Sequence, residues 1–135
     1  SCDVLFDALV DAGACKAAKS LLDYPHFTPK NASLESYIRC LSNGGMVEEA
    51  FDVFVSLKKV GFLPSVSTFN VSLLACLKVG RTDLVWKLYE HMLESGVVAS
   101  FDVETVGYLI KAFCAENKVF NGWESILEFL RSFIL

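Results

Sequence analysis

The residues best able to do chemistry in this chain are five cysteines, at positions 2, 15, 40, 76 and 114, and two histidines, at 26 and 91. Cysteines two to four residues apart would announce a zinc site, and an even set in a small secreted chain would announce a disulfide framework. An odd count with no paired spacing fits neither. His26 and His91 stand alone, with no cysteine or carboxylate cluster at ligand spacing, and are expected to pack or to face water. Cys40, Cys76 and Cys114 fall at similar places in the first helices of successive repeats and read as small buried thiols in a reducing compartment. The adjacent acids Glu48 and Glu49 open a helix, where negative charge complements the dipole. No glycine-rich phosphate loop follows a strand, and no strand-like stretch exists to carry one. The expectation is a protein that is not an enzyme, with no cofactor, no metal and no small-molecule substrate.

The elements behind these residues are helices. From Val66 to Asp102 the sequence reads as two short amphipathic helices, about Thr68 to Lys78 and about Thr82 to Glu94, joined by a turn at Val79-Gly80-Arg81 and stopped at Gly96. Ser67 or Thr68 could cap the first helix, and Thr82 or Asp83 the second, since short side-chain oxygens accept the orphan N–H groups of a first turn. Val85, Trp86, Leu88, Tyr89 and Met92 recur at helical spacing and make one apolar face. A single hairpin cannot bury that face. Sliding the chain by 35 residues lays Asn31–Ser65 over Val66–Ser100, with Leu34 on Phe69, Ile38 on Leu73, Phe51 on Trp86, Phe54 on Tyr89, Gly45 on Gly80 and Gly61 on Gly96. A fixed period of this length marks helical hairpins stacked into a continuous core. The fold class expected is all-α, a right-handed solenoid of about four repeats.

Four units follow from that period. Residues 1–30 form an abbreviated one, with Val4, Leu5, Ala8 and Leu9 on its first helix, Ala12-Gly13 at the turn, and Tyr24-Pro25-His26-Phe27 ending its second helix early. Residues 31–65 and 66–102 are full units, the latter with a two-residue insertion within Val98–Asp102. Residues 103–135 form a fourth, whose second helix is expected from about Phe120 to Phe133, with Trp123, Ile126, Leu127, Leu130 and Phe133 inward. The aromatic residues at helical spacing, Phe51, Phe54, Trp86, Tyr89 and Trp123, are expected in the core. The chain opens without methionine and closes on Ile134-Leu135 without a polar cap, so it is expected to be an excerpt of a longer protein.

Composition narrows the partners. The 135 residues are 53% hydrophobic, enough for one domain with a real core. The uncharged stretch Phe62 to Leu77 contains Pro64, Asn70 and four hydroxyl residues and is a poor membrane span. Twelve basic against sixteen acidic residues leave a net charge of −4, which disfavours general nucleic-acid binding and makes any such binding depend on local placement.

The 35-residue period, Thr68-Phe69-Asn70, the segments Ala75–Arg81 and Leu88–Met92, Gly61-Phe62-Leu63-Pro64-Ser65 and Leu109–Cys114 together resemble the pentatricopeptide repeat family, in its plain 35-residue-repeat form. The tetratricopeptide pattern Trp-x-x-Leu-Gly-x-x-Tyr is found in none of the units. The resemblance implies sequence-specific binding of single-stranded RNA in a mitochondrion or chloroplast, in transcript stabilisation, processing or splicing, with one base read per unit. In that family, base choice rests on a polar residue early in the first helix and on the last residue before the next unit. Those positions are Asp3 with Lys30, Glu35 with Ser65, and Asn70 with Asp102, while Gly107 holds the first position of the fourth unit. Asn70 with Asp102 looks like the uracil-preferring pair; with the insertion placed differently, Ser100 takes the partner position and the pair looks cytosine-preferring. The position that sandwiches the base is Ala32, Ser67 and Glu104. By the same resemblance Lys78 touches phosphate, and Arg39 and Lys111, also on first helices, are candidates for the same contact. The alternative function is a helical scaffold for protein partners or self-association through the C-terminal repeat, to which the net acidity also points.

Overall fold

The computed structural model describes residues 1–96, 100–116 and 131, and among these the chain forms seven α-helices and no strand. Helices α1 (Cys2–Asp11) and α2 (Cys15–Leu22) make the first hairpin, α3 (Asn31–Asn43) and α4 (Val47–Lys59) the second, α5 (Val66–Lys78) and α6 (Thr82–Glu94) the third, and α7 (Val103–Glu116) follows. The helix expected over Phe120–Phe133, with Trp123 on its inner face, lies outside the described residues, as do Val98 and Ala99 of the expected insertion.

Each hairpin turns on a glycine in the left-handed region: Gly13, Gly45 and Gly80 have φ of 76°, 78° and 74°. That conformation costs an L-residue with a Cβ roughly 1–2 kcal/mol, so the glycines that recur in the sequence are backbone requirements. α2 stops at Leu22, ahead of Pro25, and is the shortest of the helices.

Two cap assignments need correction. α5 begins at Val66, earlier than the reading from Thr68, and its N-cap is Ser65, whose hydroxyl accepts from the Thr68 N–H at 3.4 Å. Thr68 is instead wholly buried, with its own hydroxyl turned to a neighbouring helix. Arg81 occupies the N-cap of α6, which has no side-chain cap bond; Asp83 binds the Arg81 guanidinium at 3.0 and 2.9 Å.

The first helices form a row, α1 on α3, α3 on α5 and α5 on α7, while α4 packs on α6. Apolar residues at helical spacing drive this, because each hairpin buries its face only against the next. Phe54 of α4 stacks on Phe69 of α5, with centroids 4.5 Å apart and both rings fully buried. His91 of α6 lies against the rings of Phe51, Phe54 and Phe69, and burial, with the charge of Lys58, pushes its pKa down. That histidine is a packing residue. Phe51, Trp86 and Tyr89 are half-buried against the same core. A buried Ser42–Ser72 hydrogen bond of 2.8 Å ties α3 to α5, and ion pairs Lys58–Glu94 and Arg81–Glu48 link the second helices on the surface.

Candidate functional site

The row of first helices carries two polar clusters built on one plan. In the first, Glu35 of α3 reaches the loop before α5. Its Oε2 accepts from the Ser65 N–H at 2.9 Å, the Ser65 hydroxyl at 3.0 Å and the Thr68 hydroxyl at 2.7 Å. Arg39, one turn along α3, donates from Nε to the Thr68 oxygen at 3.0 Å. All three of these donors converge on Glu35 Oε2.

In the second cluster, Asn70 of α5 reaches the residue before α7. Its amide nitrogen donates to both carboxylate oxygens of Asp102, at 3.1 and 3.2 Å, and its carbonyl accepts from the Thr105 hydroxyl at 2.6 Å. Asp102 Oδ1 also accepts the Thr105 N–H at 2.9 Å, the bond that an N-cap makes, and lies 2.9 Å from the Thr105 hydroxyl. Thr105 stands to Asp102 as Thr68 stands to Ser65, three residues on and fully buried. Between the two clusters the chemistry is exchanged: one has its carboxylate on the helix and a hydroxyl in the loop, the other an amide on the helix and the carboxylate in the loop.

Both carboxylates are held in the charged form. Backbone and side-chain bonds from Thr105, helped by the Asn70 amide, keep the pKa of Asp102 below the ordinary value. For Glu35, burial raises the pKa, but bonds from Thr68 and from the backbone and hydroxyl of Ser65, with the charge of Arg39, outweigh it and the net shift is downward. A carboxylate with a lower pKa folded than unfolded contributes stability that is complete above its unfolded value and is lost as pH falls through the folded one. Stability should therefore show a Glu35-dependent loss that begins near the ordinary value of 4.5 and continues below it. Glu35→Gln is expected to lower stability at neutral pH and to remove that part of the acid limb. Chemical denaturation across pH reads both, and an acid limb identical in the two proteins would refute the effect.

The remaining candidates divide. Asp3 and Lys30 form no ion pair, and Lys30 caps α3 by backbone alone. Ser100 is exposed, and the Asn70 amide is engaged by Asp102 instead. Gly107, on α7, has open space where a Cβ would stand. The sandwich positions Ala32, Ser67 and Glu104 are exposed, and Glu104 accepts from the Tyr108 hydroxyl at 3.0 Å. Lys78 is exposed and lines a groove of about 410 Å³ with Asn43, Gly44, Gly45 and Val71. Lys111 is exposed with its ammonium 5.9 Å from the Tyr108 ring centre. Arg39 and Lys111 occupy the same register, one turn after Glu35 and Gly107; Leu74 holds it in the unit between.

Two of the clusters' buried members, Thr68 and Thr105, were not among the candidate site residues. The signal was available: a threonine three residues after each loop position. Among the described residues no group of three or more histidine, cysteine or acidic side chains could hold a metal ion, and no helix is long and apolar enough to cross a membrane.

Comparison with known proteins bears on the same residues. The model of the PPR repeat family matches residues 64–115, and the PPR repeat model matches 35–62. A pentatricopeptide repeat-containing protein of Arabidopsis thaliana is 44% identical over 131 residues, 97% of this chain and 26% of its own length. A mitochondrial pentatricopeptide repeat-containing protein of the same plant is 37% identical over 89 residues, 66% of this chain and 9% of its own. A chloroplastic one is 40% identical over 57 residues, 42% of this chain and 8% of its own. The chain thus spans about a quarter or less of the length of these relatives.

Proposed function

Because the chain belongs to the pentatricopeptide repeat family, we propose that it binds single-stranded RNA along its row of first helices, without catalysing a reaction, in a mitochondrion or chloroplast. The family's general role is RNA binding, and relatives carry mitochondrial and chloroplastic names. The observation that carries the reading is the repeated cluster: a polar side chain early in a first helix, bonded to the residue that precedes the next unit, twice in succession. A reader of bases needs a polar group held in one orientation, because a mobile amide or carboxylate pays rotamer entropy at every contact. Asn70, with Asp102 fixing it, is the base-reading group of the third unit and suits uracil. Glu35 with Ser65 is the weaker counterpart in the second. Arg39, Lys78 and Lys111, on α3, α5 and α7, supply the phosphate contacts.

Three such contacts set a ceiling on salt dependence. For single strands each neutralised phosphate contributes a slope of about −0.7 in log affinity against log salt, so no slope steeper than about −2 is expected. The test is selection from a randomised single-stranded RNA pool at low and physiological salt. Enrichment of a short motif with a pyrimidine at one position is the expected result. Weak, salt-sensitive binding without enrichment would reject base reading and leave only the phosphate contacts. Absence of binding under both conditions would overturn the reading in favour of a scaffold for protein partners.

A further inference from the structure

Two cysteines that no spacing rule pairs meet where the first hairpin packs on the second. Cys15 is the first residue of α2 and Cys40 lies in the last turn of α3. Both are free thiols, their sulfurs are in direct contact, 2.7 Å apart, and Cys15 Sγ also reaches the Cys40 carbonyl at 3.0 Å. No other pair of cysteines meets among the described residues. The two cysteines are almost equally buried, 9% and 8% exposed, but only one of them lines a groove. A groove of about 390 Å³, lined by Gly13, Ala14, Lys16, Gly44 and Met46, opens onto Cys15 and does not include Cys40.

We infer that Cys15 and Cys40 are a reversible redox pair, oxidised by a small-molecule disulfide of the glutathione class to an intramolecular disulfide that staples α2 to α3. The thiolate of Cys15, reached through the groove, attacks one sulfur of the small disulfide. That S–S bond breaks, and one small thiol leaves, taking up a proton in place of the one Cys15 released. Cys40 then gives its proton to water and attacks the Cys15 sulfur, forming the protein disulfide and displacing the second small thiol. Two protein thiols lose two electrons, and one small disulfide becomes two thiols. The groove, which Cys15 lines and Cys40 does not, brings the small disulfide to Cys15 first, and burial together with the contact to Cys15 pushes the pKa of the Cys40 thiol up.

The pair is particular to this junction. At the equivalent positions of the next unit stand Val47, first in α4, and Ala75, in the last turn of α5. Neither can be cross-linked. The staple therefore acts on one interface of the array and leaves the others to packing.

The test equilibrates the full chain in glutathione buffers of graded redox ratio, traps free thiols by alkylation, and maps peptides without reduction. The expected result is a linked Cys15–Cys40 peptide that forms while Cys76 and Cys114 remain alkylated. Because the bond closes a loop in the unfolded chain, the melting temperature should rise by roughly 10 °C on oxidation and fall back on reduction. Cys15→Ser and Cys40→Ala should each abolish both effects, alanine being the residue at the matching position of the next unit, and Cys76→Ser should abolish neither. The wild-type map decides even where a variant folds poorly. Glutathione retained on Cys15 without closure, or linkage that appears only in denaturant, would overturn the proposal.

Discussion

Phe54→Ala is expected to destabilise the chain by about 3–5 kcal/mol, the range for emptying a buried aromatic site. The ring is fully buried, stacked on Phe69 and edged by His91. Natural domains are stable by only about 5–15 kcal/mol, so this one substitution removes a large part of the total. Its location adds a second expectation. Phe54 belongs to α4 and Phe69 to α5, so the stack joins two hairpins rather than closing one. In an array whose stability is a sum over units and interfaces, loss at an interface uncouples neighbours. The denaturant transition followed by circular dichroism should move to lower concentration and also broaden. Phe51→Ala is the comparison: Phe51 also meets His91 of α6 but is only half-buried, so its loss should cost less and broaden the transition less. A Phe54→Ala transition that matches the wild type in midpoint and width would mean that the hairpins are held together elsewhere.

What could be read from the sequence depended on whether a feature is local or periodic. Hairpin turns at Gly13, Gly45 and Gly80 and the stop at Gly96 were legible because each needs φ near +75°, which only glycine adopts cheaply. Helix faces were legible because apolar spacing is a property of one helix. The N-cap of α5 was misread for the opposite reason. Thr68 has the chemistry of a cap, but its hydroxyl is drawn to Glu35 of the preceding hairpin, a contact 33 residues away that no local pattern announces. At α6 the competition is local: Arg81, two residues earlier, takes the Asp83 carboxylate that was the candidate cap. The proximity of Cys15 to Cys40 was invisible too, since it arises from the packing of one hairpin on the next rather than from ligand spacing. Family resemblance, not spacing, singled out Asn70 and Asp102. The bond between them requires that α7 follow Asp102 directly, with Asp102 in the place Ser65 holds before α5.

Asn70→Ala is the substitution that separates base reading from mere polarity in the fold. Only 4% of Asn70 is exposed, and its bonds to Asp102 and Thr105 fix the amide plane. An amide has two N–H donors and two carbonyl lone pairs. One N–H shared between the two Asp102 oxygens and one lone pair spent on Thr105 leave one donor and one acceptor for a base edge. Uracil offers the complementary pair, an N3–H donor beside carbonyl acceptors. Alanine removes both contacts, and affinity should fall by about 1–3 kcal/mol for RNAs carrying the preferred base at that position. RNAs with another base there should lose much less, because the wild-type amide was never matched to them. Asp102→Asn isolates the role of orientation: it keeps an acceptor for Thr105 while replacing the anion that holds the amide. It should blunt discrimination more than overall affinity. Titrations against RNAs differing at a single position read all of this, with a melting curve beside each to show that the variant is folded. Equal loss across the four bases, in a folded Asn70→Ala protein, would reduce the cluster to a structural tie between α5 and α7, and RNA recognition would have to be sought at other residues.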